Sequence, residues 1–245
     1  MIRQLGRILA ALGALCLMTC FASWTPPCSA ALIIGTPVAL STLVVPGATI
    51  VVGDKTFGGF TYSITGDMPP APLVNVIPIT DDAGNFGIRF QGAFIDTTGA
   101  VGGSDALITY DVTAGANRLI SDAHLEGNPS RLGPLGSMSV TETFLPLGAN
   151  GQFTMKIYDD QNVNPPKLVD NTVFTTPVKT LHVQKDILGL AKVNPNSPEA
   201  PQTVTLSFVD QSFSQIIVPE PTTVALLFAG TFGFALVRRR SSLFD

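Results

Sequence analysis

Paired carboxylates are the side chains of this 245-residue sequence whose type and spacing could do chemistry. Asp81 and Asp82 precede a Gly-Asn pair, and Asp159 and Asp160 precede a Gln-Asn pair. Carboxylate and amide oxygens in such a loop can bind calcium, which accepts irregular geometry. Neither stretch has the spacing of an EF-hand calcium loop, and Asp, Asn and Gly also form turns without an ion. We therefore expect turns at both places, with a calcium site as the alternative.

Other catalytic patterns are weak in this sequence. His124 and His182 are the two histidines, and no metalloprotease pattern surrounds either of them. We place His124 in a loop and His182 on the polar face of a strand, and expect no catalytic role for either. No serine has the glycine spacing of a nucleophile elbow. A secreted hydrolase would need carboxylates across a cleft, for which Asp105 and Glu142 are the candidates.

The N-terminus has the pattern of a secretory signal. Two arginines precede an apolar run of about 14 residues, which is shorter than the ~20 that span a bilayer. The pattern predicts a signal peptide over 1–30, cut by signal peptidase between Ala30 and Ala31. The alternatives are a retained anchor and a lipoprotein lipidated at Cys20. All three cysteines of the sequence, at 16, 20 and 28, precede the expected cut, so the mature protein would have no disulfide.

The C-terminus has three parts in a fixed order. A proline motif comes first, and an uncharged apolar stretch over 222–237 and a basic cluster follow it. Prolines end a helix, and the arginines would keep the last residues cytoplasmic. The motif residues are Val218, Pro219, Glu220 and Pro221, and the basic residues are Arg238, Arg239 and Arg240. We expect one membrane helix here, with an ordinary tail anchor as the alternative to a sorting signal.

This tail resembles the PEP-CTERM sorting signal of Gram-negative bacteria. The resemblance covers 218–245 and is supported by the signal peptide at the other end. It implies recognition and cleavage near the motif by exosortase, a membrane-embedded protease-transpeptidase. It also implies transient anchoring in the inner membrane, followed by release to the cell surface, the medium or an exopolysaccharide matrix of a biofilm.

The region between the two signals, 31–217, has the pattern of an all-β domain. Apolar and polar residues alternate along short segments that are separated by Gly, Asn, Asp and Pro, which predicts an antiparallel β-sandwich or barrel-like domain. We also expect one or two strands in 31–53 and a short helix near 186–192. The predicted strands are 56–65, 73–80, 86–94, 106–113, 138–145, 153–158, 167–175, 180–187 and 203–208.

Charge and motif content limit the function of this domain. Removing the ends leaves 9 of the 14 basic and 16 of the 18 acidic residues, a net charge of −7. Such a surface does not favour nucleic acid. We expect a non-enzymatic exported protein that is structural, adhesive or associated with exopolysaccharide or the envelope, without a cofactor. A polysaccharide hydrolase and a calcium-dependent binding module are the alternatives. Exosortase and signal peptidase are the expected partners during export.

Overall fold

Two antiparallel β-sheets, packed face to face, form this structure, a computed structural model that describes residues 32–98, 102–145, 154–197 and 202–218. A four-residue helix, α1 (Leu40–Leu43), and a 3-10 turn, Ala71–Leu73, lie among the strands. The strands are β1 (Leu32–Ile33), β2 (Val38–Ala39), β3 (Thr49–Val52), β4 (Lys55–Thr65), β5 (Asn75–Thr80), β6 (Phe86–Thr97), β7 (Ser104–Ala114), β8 (Arg118–Gly127), β9 (Ser130–Leu132), β10 (Ser137–Leu145), β11 (Thr154–Asp160), β12 (Val163–Lys167), β13 (Val169–Val178), β14 (Thr180–Leu190), β15 (Thr203–Ser212) and β16 (Gln215–Ile217).

The two sheets have different strand orders. Sheet A runs β1-β5-β6-β15-β8-β13, with β2 paired to β5, β9 to β15 and β16 to β8. Sheet B runs β12-β11-β10-β14-β7-β4-β3. Neighbours such as β10 and β14 are far apart in the chain, so the sheets form only when distant segments meet. The arrangement is the antiparallel sandwich that the sequence predicts.

An aromatic cluster joins the two sheets in the core. Phe57, Phe60 and Tyr110 come from sheet B, and Phe90 comes from sheet A. Their contacting ring centroids lie 5.5–6.4 Å apart. All four residues are buried. Burial of each such side chain stabilises the folded state by about 1.5–3 kcal/mol, so the cluster contributes much of the packing energy between the two sheets.

The predicted helix near 186–192 is wrong. Strand β14 continues to Leu190. Ile187 pairs with Val140 of β10 on one side and with Ala106 of β7 on the other. A central strand gains backbone hydrogen bonds from both neighbours, which outweighs the weak helical tendency of one short segment.

Two strands fall where the sequence predicted loops. Strand β8 contains His124, so the predicted loop there is wrong. Its alternation is broken because partly exposed Ser121 and Asp122 lie in succession between buried Ile120 and Ala123. Strand β12 includes the Asn-Pro-Pro sequence, which lies between the predicted strands 153–158 and 167–175. It pairs with β11 alone, and prolines are tolerated on such an edge strand.

The ends of the chain carry predictions that the described residues do not reach. Ala30, Ala31 and the signal peptide lie outside them, as do 219–245 with the rest of the proline motif, the apolar stretch and the arginines. The opening segment contains β1, β2, α1 and β3 instead of one or two strands. Within the described ranges, no helix has the length and apolar character needed to cross a bilayer.

Candidate functional site

The outer surface of sheet B is rich in hydroxyl, amide and charged groups. Along β4, β7, β10, β11 and β14, one set of alternating residues enters the core and the other faces out. We call the outward set the polar face, and Leu107, Leu145 and Leu188 interrupt it. It consists of Thr56, Thr61, Ser63, Thr65, Asp105, Thr109, Asp111, Thr113, Ser139, Thr141, Thr143, Thr154, Lys156, Tyr158, Thr180, His182, Gln184 and Asp186.

Strand register aligns these side chains in rows across the sheet. One row runs from Thr61 through Thr109, Gln184 and Thr143 to Thr154. The Oγ1 atoms of Thr61 and Thr109 are 2.7 Å apart. Adjacent strands lie about 4.8 Å apart, so the row offers a polar group at each such step. A polymer laid across the strands would meet a regular series of hydrogen-bonding groups.

Two carboxyls meet on the polar face. Asp105 of β7 pairs with Leu188, and Asp186 of β14 pairs with Leu107, which makes the two aspartates diagonal neighbours. Partial burial and the Asp105 carboxyl, which hydrogen-bonds the protonated form, raise the pKa of Asp186 to about 6, and Lys156 opposes the shift. Asp186 therefore carries a proton in mildly acid conditions and can donate as well as accept hydrogen bonds.

Asp105 and Glu142, the candidate hydrolase carboxylates, do not come together. Asp105 is on the polar face of sheet B, whereas Glu142 points into the core and is fully buried. Lys185, also fully buried, donates a hydrogen bond to Glu142 Oε2. Burial raises the pKa of Glu142 against the opposing effect of this lysine. A pair on opposite sides of one sheet cannot act on the same bond.

The first calcium candidate is a turn in which both carboxylate oxygens of Asp81 accept hydrogen bonds from protein groups. Asp81 Oδ1 accepts hydrogen bonds from the backbone N–H groups of Ala83, at 3.0 Å, and Asn85, at 2.8 Å. Its Oδ2 accepts from Asn85 Nδ2 at 2.9 Å and from Ser212 Oγ at 2.6 Å. Asp82 is exposed. The hydrogen bonds of Asp81 hold the turn and attach it to β15.

The second calcium candidate is also occupied by internal contacts. Asp159 accepts two hydrogen bonds from Arg131, from Nε at 2.7 Å and from the backbone N–H at 3.0 Å. Asp160 Oδ1 accepts two from Asn162, at 2.7 and 3.0 Å. Nowhere in the described part of the chain do three or more His, Cys, Asp or Glu residues gather in a way that could hold a metal ion.

The two histidines lie on different sheets. His124 Nε2 on β8 is 3.1 Å from Asp122 Oδ1 and 3.1 Å from Ser214 Oγ. His182 Nδ1 on the polar face is 2.8 Å from Asp111 Oδ1. The structure therefore does not bring the histidines together.

Asp186 was the site residue that sequence reasoning missed. It falls within the predicted strand 180–187, but its partner Asp105 lies on a strand far away in the chain. The burial of Lys185 could have been predicted from the sequence, because Lys185 belongs to the same alternating set as the inward-facing residues Val183 and Ile187 of β14. Its partners could not be found without the strand order.

The last described strand ends directly before the proline motif. Strand β16 pairs with Arg118–Ile120 of β8, and the Val218 N–H then donates to the Asn117 carbonyl at 2.8 Å. Residues 218–240 match the family model of the PEP-CTERM protein-sorting motif. This tail is a PEP-CTERM sorting motif. The match confirms the resemblance seen in the sequence, and the PEP-CTERM motif implies an exported protein that exosortase processes.

Comparisons of the whole chain add little beyond the motif. No curated protein matches it. Of solved structures, TmCBM61 in complex with beta-1,4-galactotriose has 9% identity and a TM-score of 0.29, covering 62% of this chain and 88% of that one. The enzymatically active domain of bacteriophage CBA120 tailspike protein 4 has 12% identity and a TM-score of 0.26, covering 63% and 19%. With likenesses this low, the ligands of these proteins do not carry over to this chain.

Proposed function

We propose that the mature domain is a non-enzymatic surface module that binds polysaccharide of the cell envelope or matrix through the polar face of sheet B. The single observation behind the proposal is the row of aligned hydroxyl and amide groups from Thr61 to Thr154 on the polar face, which also carries the Asp105–Asp186 pair. The PEP-CTERM motif supports it by taking the domain to a compartment where such polymers occur.

The chemistry of this face favours an uncharged polymer. Threonine hydroxyls and the Gln184 amide can donate and accept hydrogen bonds, as sugar hydroxyls do. The ring of Tyr158, with Lys156 Nζ 6.0 Å from its centroid, offers an aromatic surface at one side. The net charge of −7 would repel anionic polysaccharide unless a cation bridged the two.

Cosedimentation of the exported protein with matrix polysaccharide tests the proposal. Thr143→Ala with Gln184→Ala removes two paired groups from the middle of the polar face, and we expect weaker retention. Thr203→Ala with Thr205→Ala is the matched control on the outer side of sheet A and should bind like the wild type. Equal binding by both double variants would contradict the proposal. Loss of binding on adding a calcium chelator would instead support the calcium-dependent alternative.

A polysaccharide hydrolase is the second candidate, because of the Asp105–Asp186 pair. A glycosidase needs one protonated carboxyl and one carboxylate near the scissile bond, and the raised pKa of Asp186 would suit the acid. Release of reducing ends that is lost in both Asp105→Asn and Asp186→Asn would replace the binding proposal with this one. Polymer that binds and stays intact favours the non-enzymatic module.

A further inference from the structure

A cluster of three polar side chains lies inside the sandwich, away from the polar face. Glu142 and Lys185 come from neighbouring strands of sheet B, and Gln211 comes from β15 of sheet A. All three are fully buried. Lys185 Nζ donates hydrogen bonds to Glu142 Oε2 and, at 3.1 Å, to Gln211 Oε1. One amine therefore contacts a carboxyl of its own sheet and a carboxamide of the opposite sheet.

If Lys185 and Glu142 form only an ion pair, several buried polar atoms of this cluster have no hydrogen bond. Glu142 Oε1, Gln211 Nε2 and the Tyr110 hydroxyl are buried without a hydrogen-bond partner in the described structure. Each unsatisfied buried polar atom destabilises the fold, and a buried ion pair often stabilises less than apolar residues would. Burial lowers the pKa of Lys185 and raises that of Glu142, so both groups move toward their neutral forms.

We propose that Lys185 and Gln211 form an intramolecular amide bond that covalently joins the two sheets. The bond forms between Lys185 Nζ and Gln211 Cδ, and the bond from Cδ to Nε2 breaks. Glu142 accepts a proton from the attacking amine through Oε2 and returns one to the leaving nitrogen, which departs as ammonia. The reaction exchanges one amide for another and needs no oxidant or external co-reactant.

The placement of the three groups supplies what this reaction requires. A neutral amine is the nucleophilic form of lysine, and burial favours that form. Its nitrogen already contacts the oxygen of the carbonyl that it would attack, so little motion separates the groups. The leaving nitrogen of Gln211 has no hydrogen bond to give up. The surrounding core excludes water that would compete as a nucleophile.

A similar trio elsewhere serves as an internal comparison. Lys55 Nζ is 3.1 Å from Asp54 Oδ1 and 3.4 Å from Gln215 Oε1. Here Gln215 Nε2 already donates to Asp54, and Arg118 also contacts this carboxylate, which is partly exposed. Burial alone would raise the pKa of Asp54, but the hydrogen bonds from Lys55 and Gln215 and the charges of Lys55 and Arg118 outweigh it. The net pKa is lowered, so this carboxylate stays ionised, unlike Glu142. We expect no amide bond at this second trio.

Mass spectrometry of the denatured exported protein tests the inference. The wild type should be lighter than its sequence by one ammonia, and digestion should yield a branched peptide that joins the segments around Lys185 and Gln211. Lys185→Met and Glu142→Leu should each restore the full sequence mass, after allowing for the substitution. Lys55→Met is the matched control and should keep the deficit.

The wild-type digest decides the question even if a core variant fails to fold. Unlinked peptides carrying Lys185 and Gln211 at full mass would overturn the proposal. So would loss of one water with a link from Lys185 to Glu142, or a link from Lys55 to Gln215. A purely structural ion pair leaves the mass unchanged, which separates it from the covalent bond. The result does not depend on polysaccharide binding, so either proposal can fail alone.

Discussion

Replacing Asp186 with asparagine should stabilise the folded domain at neutral pH. The folded state raises the pKa of this carboxyl from 3.8 to about 6, because burial and Asp105 disfavour its charged form. A raised acid pKa means that the folded state holds the proton more tightly than the unfolded chain does. The charged carboxylate therefore costs stability above pH 6, and this cost vanishes below pH 3.8. Asparagine cannot ionise, so it removes the cost.

The size of the gain follows from the shift. Each pKa unit corresponds to about 1.4 kcal/mol, so the full shift is worth roughly 3 kcal/mol. Asp186 is only partly buried and remains accessible to solvent, and screening reduces such an interaction to about 1 kcal/mol. In a domain of 150–250 residues, 1 kcal/mol moves the melting temperature by about 2–4 °C.

Urea unfolding of the wild type and Asp186→Asn, above pH 6 and below pH 3.8, measures the effect. The variant should have the larger free energy of unfolding at the higher pH, and the two should converge at the lower pH. Asp111→Asn is the control on the same face, where the neighbour is His182 instead of a carboxyl, and it should give no gain. A gain of equal size at both pH values would refute the electrostatic argument.

Four further outcomes follow from the ion pairs and the chain ends. Arg89→Met leaves Asp210, bonded at 2.6 and 2.7 Å in the wild type, as an unpaired buried charge, and should cost about 3–5 kcal/mol in denaturant unfolding. Lys167→Met removes the more exposed ion pair with Asp170 and should cost less than about 1 kcal/mol. Equal losses of stability in the two variants would contradict the argument that burial makes an unpaired charge costly. Pro219→Ala with Pro221→Ala should leave insertion intact but strand uncut protein in the membrane, seen by fractionation and immunoblotting; normal processing would mean an ordinary anchor. The melting temperature of the exported protein should not change with reductant, because the cysteines precede the expected cut; a shift would mean that they are retained.

Local alternation predicted most strands because the pleat requires it. In β10, β14 and β15, apolar residues enter the core at every second position along most of the strand, and the sequence displays this directly. Prediction failed where local pattern and tertiary context disagree. In β8 the alternation is interrupted, and in β12 the prolines read as a turn although an edge strand accepts them.

The pairs that carry the proposals could not be predicted, because they depend on strand order. Asp105 and Asp186 meet only because β7 and β14 are neighbours. Lys185 meets Gln211 only because β14 and β15 face each other from different sheets. The alternation along a strand determines which side of the sheet a residue faces, whereas the strand order determines which residues it contacts there.

The junction at Val218 links the fold to the sorting route. Strand β16 is paired to β8 through Ile217, and Val218 is both the last described residue and the first residue of the motif. Only the four motif residues, 218–221, separate β16 from the predicted membrane stretch. Fully extended, four residues span at most about 14 Å. If the stretch 222–237 spans the bilayer before processing, as the sequence predicts, the end of sheet A at β16 lies close to the membrane and to the cleavage region. In that arrangement, exosortase would reach the motif either through movement of those few residues or through separation of β16 from β8, and the second route would couple the stability of this strand pairing to export.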